Sequence, residues 1–302
     1  MQRDGVEKQM KLLEGKAAVV TGSGRGVGRG HCLHLAKNGA AVVVNDILLE
    51  EAQKVVDEIK AAGGEAIASN ADIGSRAGCE SLIQQCVDAF GHIDIAINNA
   101  GIVRDKTLLK LDDADFDIVW RIHVMGTFWI AQAAAKKMIE QGRGGAIINT
   151  TSGAHFGSFG QTNYSAAKGA IASMTYTWAM ELAKHGIRVN AIGPLATTHM
   201  SATFSDADKM PYFPPENNGP TVCWLCSDEA NYVSGQIFGT GGDRISHMVQ
   251  PHYGKTLIKS GGWEIEDIRQ HFKQHMPPEF GALGMLGKPY PFHAGVKPPV
   301  KE

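Results

Sequence analysis

Tyr164 and Lys168 stand four residues apart in Tyr-Ser-Ala-Ala-Lys, so on a helix their side chains share one face. A tyrosine hydroxyl, with a pKa of ~10, is a weak base at neutral pH. A neighbouring ammonium favours the phenolate and lowers that value. The phenol can then act as a general acid/base toward a carbonyl or carbinol oxygen. Upstream, Thr151 and Ser152 each carry a hydroxyl able to bond the same oxygen. A second cluster lies nearer the N-terminus, where Thr21–Gly28 reads TGSGRGVG. No register satisfies a strict G-x-G-x-x-G; the pattern is T-G-x-x-x-G-x-G, carried by Thr21, Gly22, Gly26 and Gly28. Glycines there allow a strand-to-helix turn and let backbone N–H groups approach a pyrophosphate at a helix N-terminus. Asp46 follows about 20 residues later, where a carboxylate accepts hydrogen bonds from ribose hydroxyls and repels a 2′-phosphate. That favours NAD. Arg25, within the turn, could pair with such a phosphate, but the like charge of Asp46 outweighs an exposed arginine.

These residues need a scaffold, and strand–helix alternation supplies one. Apolar or β-branched runs at Lys16–Thr21, Ala41–Asn45, Glu65–Asn70, Ile93–Asn98, Ala146–Thr151 and Arg188–Ile192 are separated by segments of helical periodicity, such as Val55, Val56, Ile59 and Ala62. Apolar strands alternating with helices predict an α/β fold, a doubly wound parallel sheet covered on both faces. The pattern changes after Gly242. Residues 12–242 read as one Rossmann-type domain and 243–302 as a C-terminal extension with a helix around Trp263–His275 and a Pro/Gly-rich end.

Composition narrows the classes. The chain has 302 residues, enough for a large core without disulfides or metal. Its net charge of −2, with no basic tract, argues against nucleic acid as a partner. Five cysteines are no disulfide framework. Cys223-Trp-Leu-Cys226 lies in an apolar stretch without two further ligands nearby, and reads as part of a buried helix rather than a zinc site. No run is apolar and long enough to span a membrane, and the first residues lack a signal-peptide core, so a soluble cytoplasmic protein is expected.

The TGxxxGxG turn, Asn98–Gly101 (NNAG), Ser152 and the Tyr164/Lys168 pair, in this order, resemble the short-chain dehydrogenases/reductases of extended Rossmann type. The resemblance covers roughly Leu12 to Gly242. It implies that Tyr164 is the acid/base and that Lys168 holds the nicotinamide ribose and lowers the tyrosine pKa. Ser152 would orient the substrate oxygen, and a dinucleotide would contact Gly22, Ser23, Arg25, Gly26, Val27, Gly28, Asp46, Asp72, Ile73, Asn99, Ala100, Gly101, Tyr164, Lys168 and Pro194. Two departures stand out. The family's serine stands thirteen residues before its tyrosine, the position of Thr151 here; Ser152 fits the local strand-end pattern if the following loop is one residue short. His123 replaces the usual relay asparagine, and its imidazole can also donate and accept.

Within the family, Val43–Asp46, Gly101–Asp105, Phe159–Lys168, Val222–Cys226 and Gly235–Gly239 resemble the (3R)-hydroxyacyl-CoA dehydrogenase unit of peroxisomal multifunctional enzymes and bacterial relatives, a subgroup that also carries the histidine. The implied substrate is a (3R)-3-hydroxyacyl-CoA thioester. A free secondary alcohol, a 3-oxoacyl carrier-protein reductase using NADPH, and an inactive partner subunit are the alternatives. The family also implies a homodimer or homotetramer formed through the helices carrying His123 and Tyr164. The Pro194–Asn217 loop reads as a lid with Met200, Phe204, Met210 and Phe213 as apolar contacts, and His155 and His199 as residues of the pocket mouth.

Overall fold

The computed structural model describes residues 11–198, 212–276 and Gly284. Eight strands form one sheet: β1 (Ala17–Val20), β2 (Ala41–Asn45), β3 (Ala66–Ser69), β4 (Ile95–Asn98), β5 (Gly145–Thr150), β6 (Ile187–Pro194), β7 (Ile237–Thr240) and β8 (Ser246–His247). Their order is β3-β2-β1-β4-β5-β6-β7-β8. Seven strands are parallel, and β8 runs antiparallel to β7 through Phe238↔His247 and Gly239↔Ser246. The six expected strands are all present, with ends shifted by a residue or two. Sequence reading did not find β7 and β8. Both are short, and the glycine-flanked Ile-Phe-Gly-Thr of β7 shows no clear period. The sheet therefore continues past Gly242.

Helices cover both faces because both faces of each parallel strand are apolar. Cys32 and Leu35 of α1 (Gly26–Lys37), Val55, Val56 and Ile59 of α2 (Leu49–Ala61), and Val222 and Leu225 of α7 (Gly219–Leu225) pack with Val20, Val44, Ile97 and Ile148. On the other face, Leu82 and Ile83 of α3 (Arg76–Phe90) and Ile130 and Met138 of α5 (Gly126–Gln141) pack with Val19, Val43 and Ile147. Cys223 is buried on α7 and Cys226 just after it, as expected; burial raises the Cys223 thiol to about 11, so it stays protonated.

The order in which strands are added reverses at β1, which lies between β2 and β4. A crevice opens at the carboxyl ends of strands at such a switch point. A buried polar chain fixes this region. Asn98 Nδ2 donates to Asn149 Oδ1 at 3.0 Å, and Asn149 Nδ2 donates to Thr175 Oγ1 at 2.9 Å, joining β4, β5 and α6 (Thr162–Leu182). Of the extension, β8 and α8 (Ile265–His275) are described, the latter inside the predicted helix.

Candidate active site

The glycine turn links β1 to α1. Gly22 has φ +59°, and a Cβ there would lie 2.7 Å from Ala100 Cα. A Cβ on Gly28 would lie 2.5 Å from the Gly22 carbonyl oxygen and 2.6 Å from Asn99 Nδ2. The turn and the NNAG segment are bonded together. Thr21 Oγ1 accepts from the N–H groups of Asn99 and Ala100 at 3.0 and 3.1 Å, and Asn99 Nδ2 donates to the carbonyls of Thr21 and Gly22 at 3.0 and 2.9 Å. Ser23 is buried, its hydroxyl donating to the Val20 carbonyl at 2.8 Å, so it braces the turn from below. Arg25 precedes α1 in extended conformation without capping it, and the first turn of α1, with Gly26, Val27 and Gly28, holds no acidic side chain. By contrast, α3 is capped by Ser75 and α4 (Asp113–Trp120) by Asp112. The uncapped N–H groups and the missing Cβ atoms fit a pyrophosphate. Gly28→Ala is expected to destabilise the fold by about 1–3 kcal/mol through overpacking and to abolish dinucleotide binding. An unchanged melting temperature with an unchanged titration of protein fluorescence by NAD would refute this.

Asp46 follows β2. Its Oδ2 accepts from Gly24 N–H and its Oδ1 from Leu48 N–H, both at 3.1 Å, so the carboxylate is oriented beside the turn. Asp72 is exposed and accepts from Gly74 N–H at 2.8 Å, shaping the loop that carries Ile73.

The second half of the site lies on β5 and α6. The Ser152 hydroxyl, which accepts from Ala154 N–H at 3.2 Å, lies near enough to the Tyr164 phenol to favour its ionised form. Thr151 faces elsewhere: its hydroxyl donates to the Lys168 carbonyl at 2.8 Å and is buried. Lys168 is 2% exposed; its Nζ donates to the Thr150 carbonyl at 2.6 Å and lies 5.5 Å from the Tyr164 ring centroid. Burial pushes the Lys168 ammonium down to about 7. Burial also pushes the Tyr164 phenol up to about 12, with Ser152 pulling the other way and the Asp105 charge adding to the rise. The lowering expected from spacing alone is thus outweighed by desolvation among the chain's own groups.

His123 sits in a π-helical turn, Arg121–Met125, between α4 and α5. Its ring meets the Tyr164 ring edge-on, with centroids 5.3 Å apart at 86°. Nε2 lies 3.0 Å from Ile102 N–H and 2.8 Å from the Ile102 carbonyl, so either tautomer is served there. Nδ1 is buried with no partner among the described residues. Burial, then the Lys168 charge, hold this imidazole well below its ordinary pKa, so it is neutral. The ring also explains Gly101, where a Cβ would lie 2.3 Å from His123 Cε1.

Three bracing residues escaped sequence reading. Asn163 Oδ1 accepts from Tyr164 N–H at 2.8 Å while its Nδ2 donates to the carbonyls of Arg104 and Asp115 at 3.0 and 3.2 Å. Gln161 Nε2 donates to Asp105 Oδ2 at 2.9 Å. Asn218, fully buried, donates to the Leu195 carbonyl at 3.1 Å and accepts from Thr240 Oγ1 at 2.7 Å. Short polar residues flanking a helix start were the available signal for the first two. Pro194 ends β6 at the same edge of the sheet. Thr197 and Phe213 bond each other across the base of the predicted lid: Thr197 N–H to the Phe213 carbonyl at 2.8 Å, and Phe213 N–H to Thr197 Oγ1 at 2.9 Å. His155 is half-buried beside Ser152. His199, Met200, Phe204 and Met210 lie outside the described residues.

The profile of the short chain dehydrogenase family matches residues 16–209. The chain belongs to this family. It is an oxidoreductase acting on CH–OH groups, of a family that binds a nicotinamide cofactor. The peroxisomal hydratase-dehydrogenase-epimerase of Neurospora crassa is 42% identical over 218 residues, 72% of this chain but 24% of that protein. The chain thus spans about a quarter of that relative. The hydroxyacyl-CoA dehydrogenase ChsB1 of Mycobacterium tuberculosis is 36% identical over 299 residues, 91% of this chain and 94% of the relative. That alignment reaches beyond residues 12–242. Among solved structures, a 7α-hydroxysteroid dehydrogenase complexed with NADH and 7-oxo glycochenodeoxycholic acid superposes with a TM-score of 0.72, at 33% identity, covering 76% of this chain and 94% of that one. Among the described residues no helix is long and apolar enough to cross a membrane, and no group of three or more His, Cys, Asp or Glu could hold a metal.

Proposed function

We propose that the chain is an NAD-dependent dehydrogenase that interconverts (3R)-3-hydroxyacyl-CoA and 3-oxoacyl-CoA thioesters. The observation carrying this reading is buried Lys168, 5.5 Å from the Tyr164 ring and bonded to the Thr150 carbonyl beside Ser152, at the same end of the sheet as the uncapped α1 N-terminus. Near full-length similarity to a hydroxyacyl-CoA dehydrogenase supports the thioester class. The pinned carboxylate of Asp46 supports NAD.

In this mechanism the uncapped N–H groups of α1 bind the pyrophosphate and Asp46 accepts from the ribose. The bound dinucleotide supplies the hydride acceptor. Ser152 Oγ donates to the substrate oxygen and orients it toward Tyr164. Tyr164 Oη takes the hydroxyl proton as the carbonyl forms, and returns it in reduction. Lys168, in its protonated form, would stabilise the phenolate and work against the rise that burial gives the Tyr164 pKa. His123 Nδ1, without a partner among the described residues, serves the proton path behind the tyrosine. We further read the protein as a cytoplasmic homodimer or homotetramer. Its five free cysteines suit a reducing compartment, and partly exposed Ile118, Ile139 and Met180 on α4, α5 and α6 suit assembly through those helices.

The deciding test is a screen of CoA thioesters of varied chain length and ring content with NAD, followed by reduced-cofactor absorbance. Oxidation of (3R)- but not (3S)-3-hydroxyacyl-CoA is expected. Turnover of free alcohols alone would overturn the thioester assignment. Ser152→Ala is expected to lower kcat about 10²-fold, the scale of one lost donor to a developing oxyanion. Thr151→Val should cost about 1 kcal/mol of stability with less than about tenfold in kcat. A larger kcat loss in the Thr151 variant would reverse the two roles.

A further inference from the structure

We propose that Glu51 is a specificity-determining residue of the dinucleotide site, a second carboxylate that excludes a 2′-phosphate alongside Asp46. The inference rests on the reading of the glycine turn as the cofactor site. Gly24 is wedged between the two acids: a Cβ on it would lie 2.7 Å from Glu51 Cβ and 2.9 Å from Asp46 Oδ2. Glu51 belongs to the first turn of α2, where its N–H donates to the Leu48 carbonyl at 3.0 Å. It is half-buried against the turn, whereas Glu50 beside it is exposed.

The surrounding charges favour this role. The N–H groups that could have received a phosphate at this corner, those of Gly24 and Leu48, already donate to Asp46. Arg25, the basic residue of the turn, lies within the field of Glu51, so its charge is partly offset. Exposed Lys54 pairs with Glu51 at 2.6 Å; this bond keeps the Glu51 carboxyl below its ordinary pKa and therefore ionised, while offsetting part of its charge. A ribose presents only hydroxyls to this corner. A 2′-phosphate brings a charge of roughly −1.5 to −2 against two carboxylates. Repulsion at such short range acts on the phosphorylated dinucleotide alone and is reduced by salt.

The test compares Glu51→Gln and Glu50→Gln with the unaltered protein, using direct titration of protein fluorescence with NAD and with NADP, together with kcat/KM for each. Glu51→Gln is expected to tighten NADP binding about five- to tenfold, and to lower the NAD-over-NADP ratio of kcat/KM by the same factor through the NADP KM. The gain should shrink between about 0.05 and 0.5 M salt. Glu50→Gln, with an equal change of net charge, should shift the ratio less than about twofold. If Glu51→Gln leaves NADP affinity within about twofold, or if Glu50→Gln matches it, the inference is wrong. If the unaltered protein prefers NADP, the NAD reading fails. The Glu51→Gln shift in NADP affinity still judges Glu51, because it is measured by binding alone.

Discussion

Tyr164→Phe is expected to lower turnover by about 10³-fold or more while leaving the protein folded and dinucleotide binding intact. The substitution removes one oxygen, the only atom of the side chain able to move a proton, and general acid/base groups contribute about 10²–10⁴-fold. The ring remains edge-on to His123, and Asn163 still accepts from the backbone N–H of residue 164. Ser152 keeps its bond from Ala154 N–H, at 3.2 Å, so its hydroxyl is not left without a partner. The glycine turn is untouched, so the dinucleotide Kd should move by less than about threefold. Steady-state oxidation of a substrate found in the thioester screen, with melting temperature and fluorescence titration alongside, checks all three quantities. Turnover within about tenfold of the unaltered protein would remove tyrosine-based proton transfer from consideration.

Lys168→Met is expected to abolish turnover, by about 10³-fold, and yet to raise thermal stability near neutral pH. Lys168 is almost wholly buried and its acceptor among the described residues is the Thr150 carbonyl. Burial depresses its pKa to about 7, against about 10.4 in an unfolded chain. Below pH 7 both states bind the proton and the folded state bears the full penalty of a buried ammonium. As pH rises from 7 to about 10.4 the unfolded state alone keeps the proton, so stability grows with pH until the penalty is gone. Methionine fills the same space without charge, at the loss of one hydrogen bond to Thr150. A net gain of about 1–3 kcal/mol is expected at pH 6–7, fading toward pH 10. Melting temperatures of both proteins across that range provide the check; a variant less stable than the parent at pH 6 would show that the ammonium is not strained. The trade of stability for activity is common where a site must hold a charged group out of water.

Much of this was legible in the residues alone. Strand and helix periods gave the doubly wound sheet, because burial on both faces forces continuous apolar strands. The α-helical repeat put Tyr164 and Lys168 on one face, and the position of Asp46 at the end of β2 followed from strand length. These are local properties, set by few-residue periods. The choice between Thr151 and Ser152 was not local. It depends on which way the chain turns as it leaves β5, and the turn sends the threonine hydroxyl to the Lys168 carbonyl and leaves the serine hydroxyl on Ala154 N–H, near Tyr164. Nor could spacing show that Gly101 is small because the His123 ring fills its Cβ position, since the two are brought together only when the π-helical turn packs against the loop after β4. The pKa values belong to the same class. Sequence pairs an ammonium with a phenol and predicts mutual stabilisation. Tertiary burial removes water from both, and desolvation then drives the lysine down and the tyrosine up.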